Sequence, residues 1–231
     1  MDGLSVMAIN SVSLIHVIRR PVVMSAVKPP LLVLLHGVGS NEDDLMGLAP
    51  YLDGRFLIAS LRAPLTLGPG AFGWFAIEWT AAGITYDESD AAKGQATAEQ
   101  AIRELVSAYD VDPERVYLMG FSQGAIMSLG IATSRPEMIA GAVIMSGRLR
   151  PGVEAAAAES DRLAGLPIIV VHGTLDTVLP IESGRKIAAY LRRTPVDLTY
   201  REYPMAHTVS QESLSDIAEW LTKHMDSPTR S

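Results

Sequence analysis

The 231-residue chain has no cysteine, which excludes disulfides, a thiolate nucleophile and Cys-ligated zinc. Basic clusters are also missing. Nineteen Lys and Arg are scattered against 26 Asp and Glu, for a net charge of −7. A nucleic-acid partner is therefore not expected, because phosphate neutralisation needs grouped cations. No apolar run approaches the ~20 residues that span a bilayer, so stable membrane insertion is not expected either. Nor does a basic segment precede an apolar core at the N-terminus. Arg19 and Arg20 follow the apolar stretch, the reverse of a signal peptide, and the expectation is a cytoplasmic protein. The five histidines show no H-E-x-x-H or related spacing, so no metal site is expected.

What is present is a large potential core. Hydrophobic residues make up 48% of the chain and charged residues 19%, which rules out disorder. The length allows one large domain or two small ones. Residues 1–10 read as a flexible lead-in, 11–225 as the folded domain, and 226–231 as a flexible tail.

The most informative stretch is Arg115-Val116-Tyr117-Leu118-Met119 followed by Gly120-Phe121-Ser122-Gln123-Gly124 and an apolar run to Ala132. A short buried strand leads through G-x-S-x-G into a helix with apolar and small residues. The bare pentapeptide arises by chance in roughly one chain in fifteen of this length, so its context carries the weight. A strand that becomes a helix within a few residues must turn sharply, and the flanking glycines let neighbouring backbone approach closely. The apical serine is forced into a strained conformation with its hydroxyl presented. The following N–H, that of Gln123, is then aimed where an oxyanion would form. Ser122 is the candidate nucleophile.

The remaining strands repeat this alternation. Ser11–Ile18 reads as an edge strand stopped by Pro21, with His16 on a strand face and no catalytic role. Leu31–Leu35 is continuously apolar, as a central strand covered on both faces should be. It runs into His36-Gly37-Val38-Gly39-Ser40-Asn41, a loop past a strand end from which a second oxyanion donor should come; we assign it to the Val38 N–H. His36 reads as a structural group bonding that loop, and Ser40–Asp43 as a capped helix start. Arg55–Ala59 is a further strand.

A long irregular stretch, Arg62 to Tyr86, carries Trp74, Phe75, Ile77 and Trp79; loops of that length usually do something. These four large apolar side chains are expected to help wall a pocket, with Trp74 and Phe75 as the candidates to touch substrate. Glu88–Tyr109 has the period of an amphipathic helix. Gly141–Ser146 and Pro167–His172 are buried strands separated by an Ala-rich crossover. The alternation, without repeat or linker, predicts a single α/β domain with a doubly wound, mostly parallel sheet.

Two groups complete the constellation. Asp176 lies in the loop past the strand ending at His172, where open α/β sheets place functional groups. Its apolar neighbours would leave a carboxylate in need of a partner. His207 follows the last strand, Leu198–Tyr203, just ahead of a helix opened by a capping-box pattern at Thr208–Gln211. In the order Ser, Asp, His, only His207 and His224 follow Asp176. His224 sits at the end of the terminal helix and reads as solvated, and His172 reads as a support for the Asp176 loop. His207 is the candidate base. Val178, Leu179 and Met205 join Trp74 and Phe75 as candidate pocket walls.

These stretches resemble a known family. LLHGVGSNEDDL (35–46), RVYLMGFSQGAIMSL (115–129), VHGTLDTVLP (171–180) and MAHTVS (205–210), with APLTLGPGAFGWF (63–75) between, are similar to the phospholipase/carboxylesterase group of α/β-hydrolases. That group includes the acyl-protein thioesterases. The likeness runs from about Leu14 to Leu221. It implies an α/β-hydrolase fold without a large lid, with Ser122, Asp176 and His207 as triad and the Val38 and Gln123 N–H groups as oxyanion hole. It further implies a small-molecule ester substrate, no cofactor, and a possible homodimer. The expected activity is a serine carboxylesterase acting on short- to medium-chain esters, with thioester or lysophospholipid hydrolysis as alternatives and a non-catalytic binding module as the remote one. Members often carry an acidic residue after the Trp-Phe pair; here Ala76 stands there, and Glu78 follows two residues later.

Overall fold

The computed structural model describes residues 12–23, 25–80, 83–156 and 160–227. The lead-in expected at 1–10 and the tail beyond Ser227 lie outside the described residues. In chain order the strands and helices are β1 (His16–Arg19), β2 (Leu31–Leu35), a 3-10 helix (Leu45–Tyr51), β3 (Leu57–Leu61), β4 (Leu65–Gly68), β5 (Ala71–Gly73), β6 (Glu78–Thr80), β7 (Gly83–Thr85), α1 (Glu88–Ala108), β8 (Val116–Phe121) and α2 (Gln123–Ser134). There follow β9 (Gly141–Met145), α3 (Pro151–Ala156), β10 (Pro167–Gly173), α4 (Ile181–Leu191), β11 (Asp197–Tyr203) and α5 (Gln211–Met225).

Seven strands form one sheet in the order β1-β3-β2-β8-β9-β10-β11. Only β1 runs antiparallel to its neighbour; the rest pair in parallel. This is the α/β-hydrolase architecture, a mostly parallel sheet flanked by helices in a single domain. The edge position of β1 suits its half-buried residues, whereas β2 is buried at every position because helices cover both faces. Alternation along β2 splits the core in two. Leu31, Val33 and Leu35 face one cluster with Ile102, Leu105, Met127, Leu129, Ile187 and Leu191. Leu32 and Leu34 face another with Leu45, Ala49, Ile217, Trp220 and Leu221. Each such side chain taken out of water is worth about 1.5–3 kcal/mol, which is why the two layers hold the sheet so firmly.

Chain order reverses across β2. Strand β3 lies on one side and β8 on the other, so the loops leaving the carboxyl ends of β2 and β8 diverge and leave a crevice between them. At that crevice α2 packs directly on the sheet, with Gln123 through Thr133 all buried. The approach is close enough that a methyl group on Gly120 would collide with the Gly124 carbonyl, and one on Gly124 with the Leu35 carbonyl. Gly124→Ala is therefore expected to cost about 3 kcal/mol, or roughly 6–12 °C in Tm for a domain of this size. Gly47→Ala, whose added methyl meets open space, is the control in the same melting experiment. Equal Tm values for the two variants would contradict the close approach.

Three local expectations are corrected. Ser40–Asp43 does not start a capped helix: Ser40 bridges to Phe72, residues 42–44 form a turn, and the helix that follows is a 3-10 segment without a side-chain cap at Asp44. Glu42 is drawn instead into an ion pair with Arg62, while Ser40 Oγ donates to Asp44 at 2.7 Å. The stretch 62–86 is not irregular throughout; it folds into the β4–β5 and β6–β7 hairpins. The capping box of α5 is made by Ser210 with Ser213, two residues later than the Thr208–Gln211 pattern. At the far end of α5, Asp226 accepts from Arg55 at 2.6 Å.

Candidate active site

Ser122 stands between β8 and α2 with φ 53° and ψ −113°. A β-carbon in that left-handed region costs on the order of 1–3 kcal/mol and persists only where the surroundings enforce it. Here two hydrogen bonds do so. The Ser122 N–H donates to Met145 O of β9 at 2.9 Å, and the Ile126 N–H donates to Ser122 O at 3.1 Å. The side chain is thereby turned out of the sheet into the crevice.

Asp176 and His207 arrive from the loops after β10 and β11. Those loops are stitched together: the Thr174 N–H donates to Tyr203 O at 2.8 Å and the Leu175 N–H to Met205 O at 3.1 Å. The Asp176 side chain is fully buried. Its Oδ1 accepts the N–H groups of Val178 (2.9 Å) and Leu179 (2.8 Å), and its Oδ2 faces His207 Nδ1 at 2.6 Å. His207 Nε2 then reaches Ser122 Oγ at 3.0 Å. With Nδ1 donating to the carboxylate, Nε2 carries the lone pair and can accept the serine proton. The imidazole is also held by Phe121, whose ring centroid lies 4.9 Å away. Phe121 therefore has a positioning part that the motif pattern did not reveal.

Val38 and Gln123, the two expected N–H donors, both line the cleft beside Ser122. Gln123 opens α2, so its N–H has no partner within the helix. The 37–38 loop passes against the serine, such that a methyl on Gly37 would sit 3.3 Å from Ser122 Cβ. Neither the Val38 nor the Gln123 N–H is engaged in a turn or loop hydrogen bond among the described residues. The Gln123 side chain has a separate task. Its Oε1 accepts the Trp74 N–H at 2.7 Å and its Nε2 donates to Phe75 O at 2.8 Å, fastening the aromatic loop to the elbow.

A cleft of about 310 Å³ opens beside Ser122 and His207. Phe75, Val178 and Leu179 line it, as do Ile77, Trp79, Ile84, Tyr86, Ile126 and Arg148. Trp74 and Met205 do not. Trp74 is 2% exposed and its indole donates to His36 O at 3.0 Å; it supports the wall from behind. The Met205 side chain is buried in the core under β10 and β11. Glu78 is exposed on β6 outside the cleft lining. Ile77 and Trp79 line the cleft as the loop's apolar side chains suggested, whereas Ile84 and Tyr86 were missed because nothing in a Gly- and Pro-rich stretch shows which side chains turn inward. Arg148 had a signal: it lies three residues past the carboxyl end of β9, the same address as the other functional groups.

The other histidines support the scaffold. His36 donates from Nδ1 to Gly37 O (2.7 Å) and accepts the Ala63 N–H at Nε2 (3.0 Å), and burial pushes its pKa down. His172 donates to Leu179 O at 2.7 Å, holding the chain that presents Asp176. His16 bonds Tyr109 Oη at 2.7 Å. His224 is not solvated as expected: it is half-buried with its ring 4.4 Å from Trp220, and burial lowers its pKa. Among the described residues no group of three or more His, Asp or Glu could hold a metal ion, and no helix is long and apolar enough to cross a membrane.

Comparison with known proteins bears on the family and the fold. The family model for Phospholipase/Carboxylesterase matches residues 20–225. "Probable carboxylesterase SOBER1-like" of Arabidopsis thaliana is 28% identical over 209 residues, covering 85% of this chain and 79% of that protein. "Acyl-protein thioesterase 1" of Saccharomyces cerevisiae is 28% identical over 213 residues, covering 85% and 93%. Among solved structures, the Bacillus cereus carboxylesterase superposes with a TM-score of 0.76 at 24% identity, covering 92% of this chain and 95% of that one.

Proposed function

The chain belongs to the phospholipase/carboxylesterase family, and from that premise we propose that it is a serine carboxylesterase acting on esters of short- to medium-chain carboxylic acids. One observation carries the reading: the unbroken chain from Ser122 Oγ through both nitrogens of His207 to Asp176, at 3.0 and 2.6 Å. His207 takes the serine proton as Oγ attacks the ester carbonyl. The oxyanion of the tetrahedral intermediate is held by the Val38 and Gln123 N–H groups, each such donor being worth roughly 10²–10³ in rate. Collapse expels the alcohol, which receives the proton from His207, and leaves an acyl-serine. Water, activated by the same imidazole, attacks that ester; the acid leaves and Ser122 regains its proton. Asp176 keeps the imidazole in the required tautomer and stabilises its cation. No step needs a cofactor.

The size and lining of the cleft support the substrate range. About 310 Å³ is at the small end of the ~300–1,000 Å³ typical of small-molecule sites. Its walls are mainly aliphatic and aromatic, suited to an acyl chain. A fluorophosphonate probe is expected to label Ser122 covalently, which a non-catalytic module on this fold would not allow. In a series of p-nitrophenyl esters from acetate to palmitate, kcat/KM is expected to peak between butyrate and octanoate. A peak at palmitate would overturn the chain-length reading. An acyl thioester of the same length, run in parallel, compares the carboxylesterase reading with the thioesterase one.

A further inference from the structure

The cleft contains one feature that a neutral acyl chain does not explain. Arg148 lines it, yet among the described residues no carboxylate lies within ion-pair reach of its guanidinium. The group is held by other means: Nη1 donates to Ile84 O at 3.1 Å, and the guanidinium lies over the Tyr86 ring at 5.5 Å. Both contacts come from the β7 end of the hairpin wall, so the cation is fixed at the cleft while most of its N–H donors stay free of a counter-charge. Glu88 is engaged elsewhere through one oxygen, while its Oε2 is buried without a hydrogen-bond partner among the described residues. Its Oε1 lies 3.5 Å from Arg150 Nη1 and accepts the Gly152 N–H at 3.2 Å. Asp44, also on the cleft, is exposed and accepts from Ser40. The Tyr86 hydroxyl is buried and without a hydrogen-bond partner among the described residues.

An uncompensated, half-buried guanidinium in an apolar wall is unfavourable unless something pairs with it. We propose that Arg148 is a specificity-determining residue and that the preferred esters carry a free carboxylate, which Arg148 receives as a two-pronged acceptor. A single cation in a chain of net charge −7 fits one carboxylate charge rather than the −1.5 to −2 of a phosphate monoester. This inference rests on the esterase reading given above and narrows its substrate class.

The test measures a ratio. Methylumbelliferyl half-esters of adipic and suberic acid, with the carboxylate on the acyl side, are compared with the neutral hexanoate and octanoate. A second arm puts the carboxylate on the alcohol side, as the octanoate ester of glycolic acid against ethyl octanoate. For one arm, the charged-to-neutral ratio of kcat/KM is expected to fall roughly 10- to 100-fold in Arg148→Met, the range for a charge-assisted hydrogen bond. Arg148→Lys, which keeps the charge but loses the planar fork, should restore part of it. The loss should reside mainly in KM. Ratios unchanged by Arg148→Met in both arms overturn the proposal and leave the esterase reading intact. Failure of the wild-type protein to hydrolyse even the neutral esters overturns the esterase reading itself.

Discussion

Ser122→Ala is expected to lower kcat for p-nitrophenyl butyrate by roughly 10⁶-fold, the scale seen when the nucleophile of a serine hydrolase is removed. The size follows from geometry. Ser122 Oγ is the atom His207 Nε2 faces at 3.0 Å, and His207 and Asp176 act only through it. A small residue of rate over water should remain, because the Val38 and Gln123 N–H groups can still polarise a carbonyl. Stability should hardly move. Alanine keeps the β-carbon, so the strain at φ 53° is present in both proteins, and the backbone bonds to Met145 and from Ile126 are untouched. The measurement is a pair: turnover, and thermal melting followed by circular dichroism. A variant that melts like the parent yet turns over within about tenfold of it would remove Ser122 from the mechanism.

The parts of the fold that sequence made legible are those where burial imposes a pattern. Leu31–Leu35 reads as a central strand because it is covered on both faces, and β8, β9 and β10 follow the same rule. The elbow was legible because a strained serine needs small neighbours, and those neighbours are needed for a visible reason: Gly120 and Gly124 lie against carbonyl oxygens. Asp176 and His207 were reachable because strand ends and chain order narrow the choice. What was not legible depends on which way a side chain turns in a loop. Trp74 and Phe75 are adjacent and both aromatic, yet Trp74 is directed to the His36 carbonyl and Phe75 to the cleft. Met205 contributes its carbonyl, which accepts the Leu175 N–H, rather than its thioether. The hairpins of 62–86 are short, largely exposed and carry a register shift between Thr66 and Gly68. Such strands have no buried face to produce an alternating pattern.

Asp176→Asn is expected to lower kcat by roughly 10⁴-fold at neutral pH while leaving ester binding nearly unchanged. The reason is the wiring of the carboxylate rather than loss of charge alone. Oδ1 accepts two backbone N–H groups, from Val178 at 2.9 Å and Leu179 at 2.8 Å. An amide placed there must keep its oxygen on those donors, since turning its NH₂ toward them would set donor against donor in a buried site. The NH₂ would then face His207 Nδ1, now at 2.6 Å from Oδ2. Nδ1 can meet a donor only by accepting, which moves the ring proton to Nε2. Nε2 in turn would point that proton at Ser122 Oγ and could no longer take one away. The same two backbone bonds survive in the variant, so its Tm should stay close to the parent's. This separates the tautomer effect from local unfolding of the 173–179 loop. If Asp176→Asn keeps most of the parent's kcat with an unchanged KM, Asp176 does not orient His207. If it loses both activity and Tm, the carboxylate is holding the loop rather than the imidazole.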